Sequence, residues 1–459
     1  MIDKSRHGLG PPAGRRPDHR VIRLAPPHLL ALSLVILSAA GMALLLLPGM
    51  TTEGAGLGPL DAWFTAVSAV TVTGLAVADT GTAFTLAGQG VILALIQVGG
   101  LGIMVLGALT IIAAGGRLGL GHRLNLGESL GVTAVGDVLA MALRIGRMTL
   151  LIEAAGAVLL TAWWTPTMGL RQAAWNGLFH SVSAFNNAGF ALWPDSLTRF
   201  AGDPVSNAVV VTLIVLGGIG FPVLHELASR TPPGRWSPHT RVMIFGSLAL
   251  VGLGWAVIAL LEWSNPATLG GLHDPVEKAL AALFQSVTTR TAGFNTIDMG
   301  GLGTAAAFVV MVLMFIGAGP TSTGGGIKVS TAVIMLAATT AFLRRRDEVV
   351  LADRSLTLDT VRRALAIAVV GVGTVALGTF ALVVAEPQAD FLNASFEAVS
   401  AHATVGLSRG LTGELGTAGR IVLIVLMLAG RLGPLALGYA LLTPRPTRIS
   451  HPRADVLTG

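Results

Sequence analysis

Eight apolar runs of about membrane-spanning length dominate this sequence of 459 residues. A bilayer core about 30 Å thick requires about 20 predominantly apolar residues per helix. The runs cover residues 29–47, 86–115, 148–164, 205–224, 242–261, 302–343, 364–385 and 421–442. Charged residues make up only 12% of the chain, too few to cover the surface of a water-soluble protein of this length. The sequence therefore predicts an all-α polytopic membrane protein.

The distribution of Lys and Arg predicts the orientation of the runs. Of the 30 basic residues, 22 lie before the first run, after the last run, or in alternate connections between runs. Cytoplasmic segments carry such an excess, which also explains the positive net charge without a nucleic-acid partner. We therefore expect the segments 1–27 and 444–459 to be cytoplasmic and the protein to lie in the plasma membrane. The opposite side holds Arg171, Arg199, Lys278, Arg290, Arg409 and Arg420.

A short pattern recurs once between the two runs of each successive pair. It reads Phe, any residue, Ala or Ser, Val, then Ser or Thr, and it starts at Phe64, Phe179, Phe284 and Phe396. A glycine follows each Phe after 10, 10, 9 and 10 residues, at Gly74, Gly189, Gly293 and Gly406. Such regular recurrence predicts repeated structural units. We expect four pseudo-symmetric repeats around one central pore, covering residues 28–116, 138–230, 240–343 and 361–443.

The segment before each glycine is about a dozen residues long, too short to cross a bilayer. Acidic or capping residues predict helix starts at Asp61, at Asn176, at Asp274 with Pro275, and at Asp390 or Asn393. We therefore expect four re-entrant half-helices that descend from the outer surface and end at the glycines. The negative ends of their dipoles would point to the middle of the membrane, where they favour a cation.

The residues at and just before the four glycines predict an ion filter. They are Val72, Thr73, Gly74, Asn187, Ala188, Gly189, Thr291, Ala292, Gly293, Thr404, Val405 and Gly406. None carries a carboxylate, so a crossing ion must exchange hydration water for backbone carbonyl oxygens, which favours a large monovalent cation over a divalent one. A single glycine would more often indicate close helix packing. Four at equivalent positions favour the filter.

These segments resemble the Trk/Ktr/HKT superfamily of potassium and sodium transporters over residues 27–442. The motifs are TVTGL at 71–75, NNAGF at 186–190, TRTAGFNT at 289–296, ATVGLS at 403–408, QVGGLG at 97–102 and GRLGP at 430–434. With eight apolar runs, the chain most resembles the Ktr membrane subunit, which translocates the ion. One departure is His402, where the family leads us to expect an aromatic residue such as Phe.

The resemblance implies a potassium uptake pore that forms a homodimer and is gated by a cytosolic ring of nucleotide-binding subunits. Within the family, glycine at all four filter positions accompanies potassium, whereas serine at the first position accompanies sodium. Gly74 therefore implies K⁺ as the transported ion. The argument from carbonyl oxygens alone allows either K⁺ or Na⁺, so a sodium-selective or sodium-coupled carrier of the same superfamily is the alternative.

The sixth run is too long for one straight helix and contains a Gly- and Pro-rich stretch. Pro removes a hydrogen-bond donor and Gly destabilises helices, so we expect the helix to break there. Non-helical backbone at membrane depth must line a cavity or be buried in protein. The resemblance implies an intramembrane gate below the filter, and a packing kink is the alternative. The gate residues are Gly317, Gly319, Pro320, Thr321, Ser322, Thr323, Gly324, Gly325, Gly326 and Lys328, with Arg431 from the last run.

Arg431 lies about 10 residues into the last run, where an unpaired charge facing lipid would cost several kcal/mol. The resemblance places it just below the filter, where its positive charge would weaken ion occupancy and speed release. The alternatives are a buried ion pair with Glu153 or a hydrogen bond to backbone. The sequence assigns no role to Glu153 itself.

An intramembrane enzyme is the hypothesis from a different class. It would need a nucleophile and a base at matching depth, and no histidine in the facing runs pairs with Ser322. The chain has no cysteine and no His-Glu-x-x-His spacing, so we expect neither thiol catalysis nor a metal site. Four repeats that share one orientation also favour a pore over the inverted repeats of secondary transporters.

Overall fold

The computed structural model of the chain describes residues 26–53, 56–115 and 135–433. The predicted cytoplasmic segments lie almost wholly outside these residues, as does the second half of the last apolar run. Helices make up nearly all of the regular structure that is described. They are α1 (Pro26–Leu45), α2 (Pro59–Val70), α3 (Thr80–Ala83), α4 (Leu86–Gly115), α5 (Val135–Met168), α6 (Leu170–Phe185), α7 (Pro204–Ile219), α8 (Phe221–Ala228), α9 (Pro238–Glu262), α10 (Pro275–Thr288), α11 (Thr304–Phe315), α12 (Val329–Leu343), α13 (Leu358–Ala385), α14 (Phe391–Ala403), α15 (Leu411–Glu414) and α16 (Thr417–Leu432).

Three of the described helices are long and apolar enough to cross a membrane. They are α9, α13 and the part of α5 from Ala142 to Met168. The pair α7 and α8 would add a fourth span if it crosses as one unit. Shorter apolar helices occupy other predicted runs: Ala31–Leu45, Leu86–Gly102, Thr304–Phe315 and Val329–Leu343. A single antiparallel hairpin, β1 (Val350–Leu351) with β2 (Arg354–Ser355), follows α12 within the described residues.

The four predicted half-helices are α2, α6, α10 and α14, and their N-termini differ from one another. Asp274 and Asp390 cap α10 and α14, because their carboxylates accept from the backbone N–H groups of Val276 and Leu392. Asp61 lies in the first turn of α2 and accepts from the N–H of Gly58, three residues earlier. The expectation that Asn176 starts the second half-helix is wrong: α6 begins at Leu170, after Gly169, and Asn176 is buried in its middle.

The recurring pattern has the same structural role in all four half-helices. Its Phe and Val side chains are buried, with exposures from 0% to 8%. These residues are Phe64, Val67, Phe179, Val182, Phe284, Val287, Phe396 and Val399. Because a Phe and a Val three residues later lie on the same face of a helix, each half-helix packs that face into the interior. The Phe and Val of the pattern therefore mark the face of each half-helix that packs into the interior.

The fourth run bends where the sequence analysis does not predict a break. Helices α7 and α8 meet at an angle of 107°. Gly220 separates them with φ of 100°, a conformation that favours glycine, and Pro222 follows. The N–H of Phe221 donates to Thr321 O at 3.2 Å, so its hydrogen bond leaves the helix for the loop of the sixth run. The bend therefore depends on a contact with a distant part of the chain.

The sixth run breaks within the predicted Gly- and Pro-rich stretch. Helix α11 ends at Phe315 and α12 begins at Val329, and the residues between them form a loop, called here the inner loop (residues 316–328). The two ends of this loop lie side by side, since the N–H of Gly317 donates to Ile327 O at 2.9 Å. The inner loop thus begins and ends at neighbouring points in the structure.

Neighbouring repeats are joined by a different contact at each of the four boundaries. Between the first and second repeats, Trp175 Nε1 donates to Gln89 Oε1 at 2.7 Å, and between the second and third, the N–H of Leu197 donates to Asn295 O at 3.0 Å. Between the third and fourth repeats, Arg409 Nη1 donates to Met299 O at 3.1 Å. The fourth and first repeats are joined by the ion pair of Arg420 with Asp61. These contacts join each repeat to the next and the fourth to the first, and the four differ in kind.

Candidate ion-conducting site

The four glycines of the predicted filter each lie against a carbonyl oxygen of the next repeat. Distances from the position of a hypothetical Cβ to that oxygen are 2.4 Å for Gly74 to Ala188, 2.9 Å for Gly189 to Ala292, 2.4 Å for Gly293 to Val405 and 2.1 Å for Gly406 to Thr73. A real Cβ does not approach an oxygen this closely, so a side chain at these positions would force the segments apart. The order runs from the first repeat to the fourth and back to the first, so the four segments surround one axis.

The backbone conformation before and at each glycine is also repeated. The residue two positions before each glycine has a positive φ: 55° at Val72, 55° at Asn187, 75° at Thr291 and 50° at Thr404. The glycines themselves have φ of 91° at Gly74, 69° at Gly189, 80° at Gly293 and 94° at Gly406. Non-glycine residues rarely adopt positive φ. Four such residues at equivalent positions show that the surrounding structure imposes this conformation.

The last residue of the recurring pattern holds each filter segment to its half-helix. Ser68 and Ser400 accept hydrogen bonds from the N–H groups of Gly74 and Gly406, both at 3.1 Å. Ser183 Oγ and Thr288 Oγ1 instead donate to the carbonyls of the Phe residues after the glycines, at 2.8 and 2.6 Å. The pattern requires Ser or Thr because a short side chain with a hydroxyl can make either bond.

The third repeat has one residue fewer between Phe and glycine, and the backbone absorbs the difference. In the first repeat the N–H of Thr73 donates to Ser68 O, five residues earlier, at 2.8 Å. In the third repeat the N–H of Ala292 donates to Thr288 O, four residues earlier, at 2.9 Å. The two glycines still reach equivalent positions in the ring.

The inner loop packs on the side of the ring that precedes the glycines. A Cβ on Gly324 would lie 2.0 Å from Thr291 Oγ1, and one on Gly325 would lie 2.2 Å from Thr404 Oγ1. Both hydroxyls are buried and have no hydrogen-bond partner within the part of the chain that the structure describes. The backbone of the loop therefore reaches the inner end of the predicted filter as closely as atoms allow.

The second repeat supplies most of the backbone bonds that hold the inner loop. The N–H of Gly319 donates to Gly218 O at 2.8 Å, and the N–H of Thr323 donates to Gly217 O at 3.2 Å. Thr323 Oγ1 also donates to Phe185 O at 3.2 Å, at the end of half-helix α6. The bend after α7 exposes these carbonyls, since a continuous helix would use them internally.

Two basic side chains bind the inner loop through its carbonyl oxygens. Lys328 Nζ donates to Gly324 O at 2.6 Å and to Gly325 O at 3.3 Å. Arg431 donates to Thr323 O, and to Gly99 O at 3.2 Å. Of the alternatives for Arg431, the structure shows the bond to backbone, and the ion pairs of the described residues do not include Arg431 with Glu153.

Arg290, which the sequence predicts among the outer-side basic residues, is buried, with an exposure of 8%, and contacts the inner loop. Its guanidinium donates to Gly317 O at 3.2 Å and to Ser247 O at 3.3 Å. Burial of an arginine requires such carbonyl partners. Its place inside the TRTAGFNT motif was the available signal, since that motif ends a re-entrant helix.

A cavity of about 210 Å³ lies on the opposite side of the ring, among the residues that follow the glycines. The four glycines line its floor, with Asp79, Ser196, Asn295 and Ser408 around them. The ring is therefore reached from a polar cavity on one side and is covered by the inner loop on the other.

This geometry agrees with what the chain resembles among known proteins. Residues 39–447 match the family model described as TrkH, cation transport protein. The Ktr system potassium uptake protein B of Bacillus subtilis is 42% identical over 438 residues, which cover 95% of this chain and 98% of that protein. The chain belongs to the TrkH family of cation transport proteins. The family membership expected from the motifs is thereby confirmed, and it identifies a membrane transporter rather than an enzyme.

Two further similarities bear on the fold and on the ion. The potassium/sodium uptake protein NtpJ of Enterococcus hirae is 34% identical over 444 residues, covering 95% of this chain and 98% of that protein. The crystal structure of the potassium transporter TrkH from Vibrio parahaemolyticus matches with a TM-score of 0.73 at 22% identity, covering 94% of this chain and 87% of that chain. The second likeness supports the TrkH-type helical fold.

Proposed function

We propose that this chain is the ion-conducting subunit of a potassium uptake system, passing dehydrated K⁺ through the ring of filter segments. The observation that carries the proposal is the cyclic contact of four glycine segments, each against a carbonyl of the next. Backbone carbonyls in such a ring replace the hydration shell of a weakly hydrated cation. The half-helices α2, α6, α10 and α14 end at the ring, and their dipoles favour positive charge there.

The inner loop acts as the gate in this proposal. It covers the inner end of the ring, and its carbonyls are bound by Lys328 at the end of the loop and by Arg431 from the fourth repeat. Two positive charges below the filter also weaken ion occupancy at the exit, which favours release. Opening then requires the loop to leave Gly217, Gly218 and the carbonyl of Phe185 together.

The second candidate is a pore or carrier that also takes Na⁺. The observation in its favour is the similarity to a protein named potassium/sodium uptake protein, at 34% identity. Gly74 argues for K⁺, since a glycine at that position adds no side-chain hydroxyl of the kind that accompanies sodium in the family. We therefore assign K⁺ as the principal ion.

The surroundings of the pore follow from charge and from the relatives. The excess of Lys and Arg in alternate connections supports a plasma-membrane location with both termini in the cytoplasm. The relative named uptake protein B of a Ktr system supports a partner subunit. We propose a homodimer of this chain bound by a cytosolic nucleotide-binding ring, docked near the exposed residues Arg344, Arg345 and Arg346.

Ion flux into proteoliposomes of purified protein tests this function. Equal gradients of K⁺, Rb⁺ and Na⁺ should give flux of K⁺ and Rb⁺ that exceeds flux of Na⁺. Equal flux of Na⁺ would favour the second candidate, and no cation flux, with or without the regulatory ring, would reject both.

A further inference from the structure

Glu153 is a buried carboxylate in α5 that contacts neither the inner loop nor Arg431 through any hydrogen bond or ion pair among the described residues. Its exposure is 3%, and the ion pairs of the described residues do not include it. A buried carboxylate without a cation needs strong hydrogen-bond donors. Two side-chain amides provide them: Asn186 Nδ2 donates to Oε1 at 2.9 Å, and Gln97 Nε2 donates to Oε2 at 3.0 Å.

The three side chains form a closed network directly behind the second filter segment. Asn186 Nδ2 lies 2.9 Å from Gln97 Oε1 and 2.9 Å from Val182 O, in addition to its contact with Glu153. A backbone carbonyl only accepts, so the amide nitrogen of Asn186 must point into the network. Asn186 is the first residue after α6 and precedes Asn187, the residue with positive φ, and Ala188, whose carbonyl faces Gly74.

This network has no counterpart in the neighbouring repeat. In the second repeat Ser181 Oγ donates to the backbone carbonyl of Glu153, and in the third Ser286 Oγ donates to that of Val251, so the two positions are equivalent. Repeat two therefore places a carboxylate where repeat three has valine.

Gln97 is likewise polar where its equivalents are apolar. Gly99, Gly217 and Gly430 occupy equivalent positions, because each lies against the carbonyl of the last or second-to-last residue of a half-helix. Two residues before them stand Gln97, Val215 and Leu428. Burying polar groups in place of apolar ones costs stability, so a polar network where these equivalent positions are apolar indicates a function.

We infer that Glu153 is a positioning residue that sets the ion selectivity of the filter by holding Asn186, and through it the carbonyl of Ala188. The inference rests on the proposed function, because it requires a selective filter at this ring. Gln97 belongs to the first repeat and Glu153 to the second, so the network also fixes how the first two filter segments lie relative to each other. A shift of this boundary changes the size of the carbonyl ring, to which discrimination between K⁺ and Na⁺ is sensitive.

The test compares K⁺ and Na⁺ flux in proteoliposomes for Glu153→Ala, Glu153→Gln, Asn186→Ala and the double variant with alanine at both positions. Glu153→Ala should lower the K⁺/Na⁺ flux ratio about tenfold, since a buried donor loses its acceptor. Glu153→Gln keeps one acceptor oxygen for Asn186 and should lower the ratio less. The double variant should be no less selective than either single alanine variant, because both remove the same link.

Glu262 provides a matched control on the first span of the third repeat. It is also buried, with 1% exposure, and its carboxylate accepts from Asn265, Thr268 and Gly303, which lie outside the filter. Glu262→Gln should reduce thermal stability without changing the flux ratio. If Glu153→Ala does not fold, Glu153→Gln decides the matter.

Several results would overturn the inference. A folded Glu153→Gln or Glu153→Ala protein with the wild-type ratio would leave Glu153 a structural residue only, and additive losses in the double variant would show that it does not act through Asn186. Failure of the proposed function is separate, because wild-type protein would then show no preference for K⁺. A selective wild type whose ratio falls with Gly74→Ser but not with the Glu153 variants would reject this inference alone.

Discussion

Each predicted filter segment has three counterparts, whereas the inner loop occurs once among the residues that the structure describes. Each filter segment has a buried Phe before it, a Ser or Thr hydroxyl that is hydrogen-bonded to its backbone, a residue with positive φ and a glycine. The inner loop instead takes its shape from contacts with other repeats, at Gly217, Gly218 and Phe185 of the second and Arg431 of the fourth. The difference separates two properties: changes in the ring should alter which ion passes, and changes in the loop should alter how much passes.

Deletion of residues 318–326 is the strongest way to separate the two regions. Gly317 and Ile327 are already hydrogen-bonded neighbours, so the deletion rejoins adjacent ends of the chain. Flux should rise about tenfold or more, because an open minor state is typically populated at about 0.1–10%. Proteoliposome flux measures the change, and the K⁺/Na⁺ ratio should stay at its wild-type value. A folded deletion variant with flux at or below wild type would make the loop a packing element.

Gly74→Ser tests the ring without touching the loop. Its Cβ would meet Ala188 O at 2.4 Å in a backbone of positive φ, and its hydroxyl would suit the smaller ion. We expect the K⁺/Na⁺ permeability ratio in reconstituted vesicles to fall about tenfold, the scale expected when the lining of a tight site is altered. Gly90→Ser, on α4 of the same repeat, is the control, because nothing lies within 4 Å of its Cβ. An unchanged ratio for Gly74→Ser would count against the filter assignment.

Replacement of Arg344, Arg345 and Arg346 by Gln should have the smallest effect and should leave selectivity unchanged. These exposed residues follow α12, whose other end joins the inner loop, so a docked subunit there could move the loop. We expect weaker co-purification with a nucleotide-binding ring and loss of the flux response to nucleotide. Arg230→Gln with Arg235→Gln, in another connection, is the control. Normal association and response would leave only contact with anionic lipid, worth about 1 kcal/mol per residue.

The sequence predicts the half-helices and the break in the sixth run because those features are local. A repeated Phe and glycine, or a cluster of Gly and Pro, acts through the backbone where it stands. The bend at Gly220 escapes prediction, although Gly220 and Pro222 are visible, because a similar glycine-rich stretch at 97–102 lies within the continuous helix α4. Two features distinguish the bend: Pro222, which the stretch 97–102 lacks, and Thr321 O, which accepts the N–H of Phe221.

The partners of charged residues at membrane depth are predicted only in part. For Arg431 the sequence leaves open a charge below the filter, an ion pair with Glu153 or a hydrogen bond to backbone, and it assigns no role to Glu153. Their partners are the carbonyl of Thr323 and the amides of Gln97 and Asn186, which reach them only after distant parts of the chain come together. Local pattern predicts where a half-helix ends, but the partners of a buried charge depend on how the repeats pack.

The ion pair between Arg420 and Asp61 shows that the ring of repeats can close only late in synthesis of the chain. Its two residues are 359 positions apart, and it joins the last repeat to the first. A ribosome releases the chain from its N-terminus onward, so the first three half-helices enter the membrane before the fourth wall exists. In the proposed pore the carbonyls of the unfinished ring until then have no fourth neighbour, and a partial chain offers ions no enclosed path. Synthesis of the final repeat completes the ring and also supplies Arg431, which binds the inner loop.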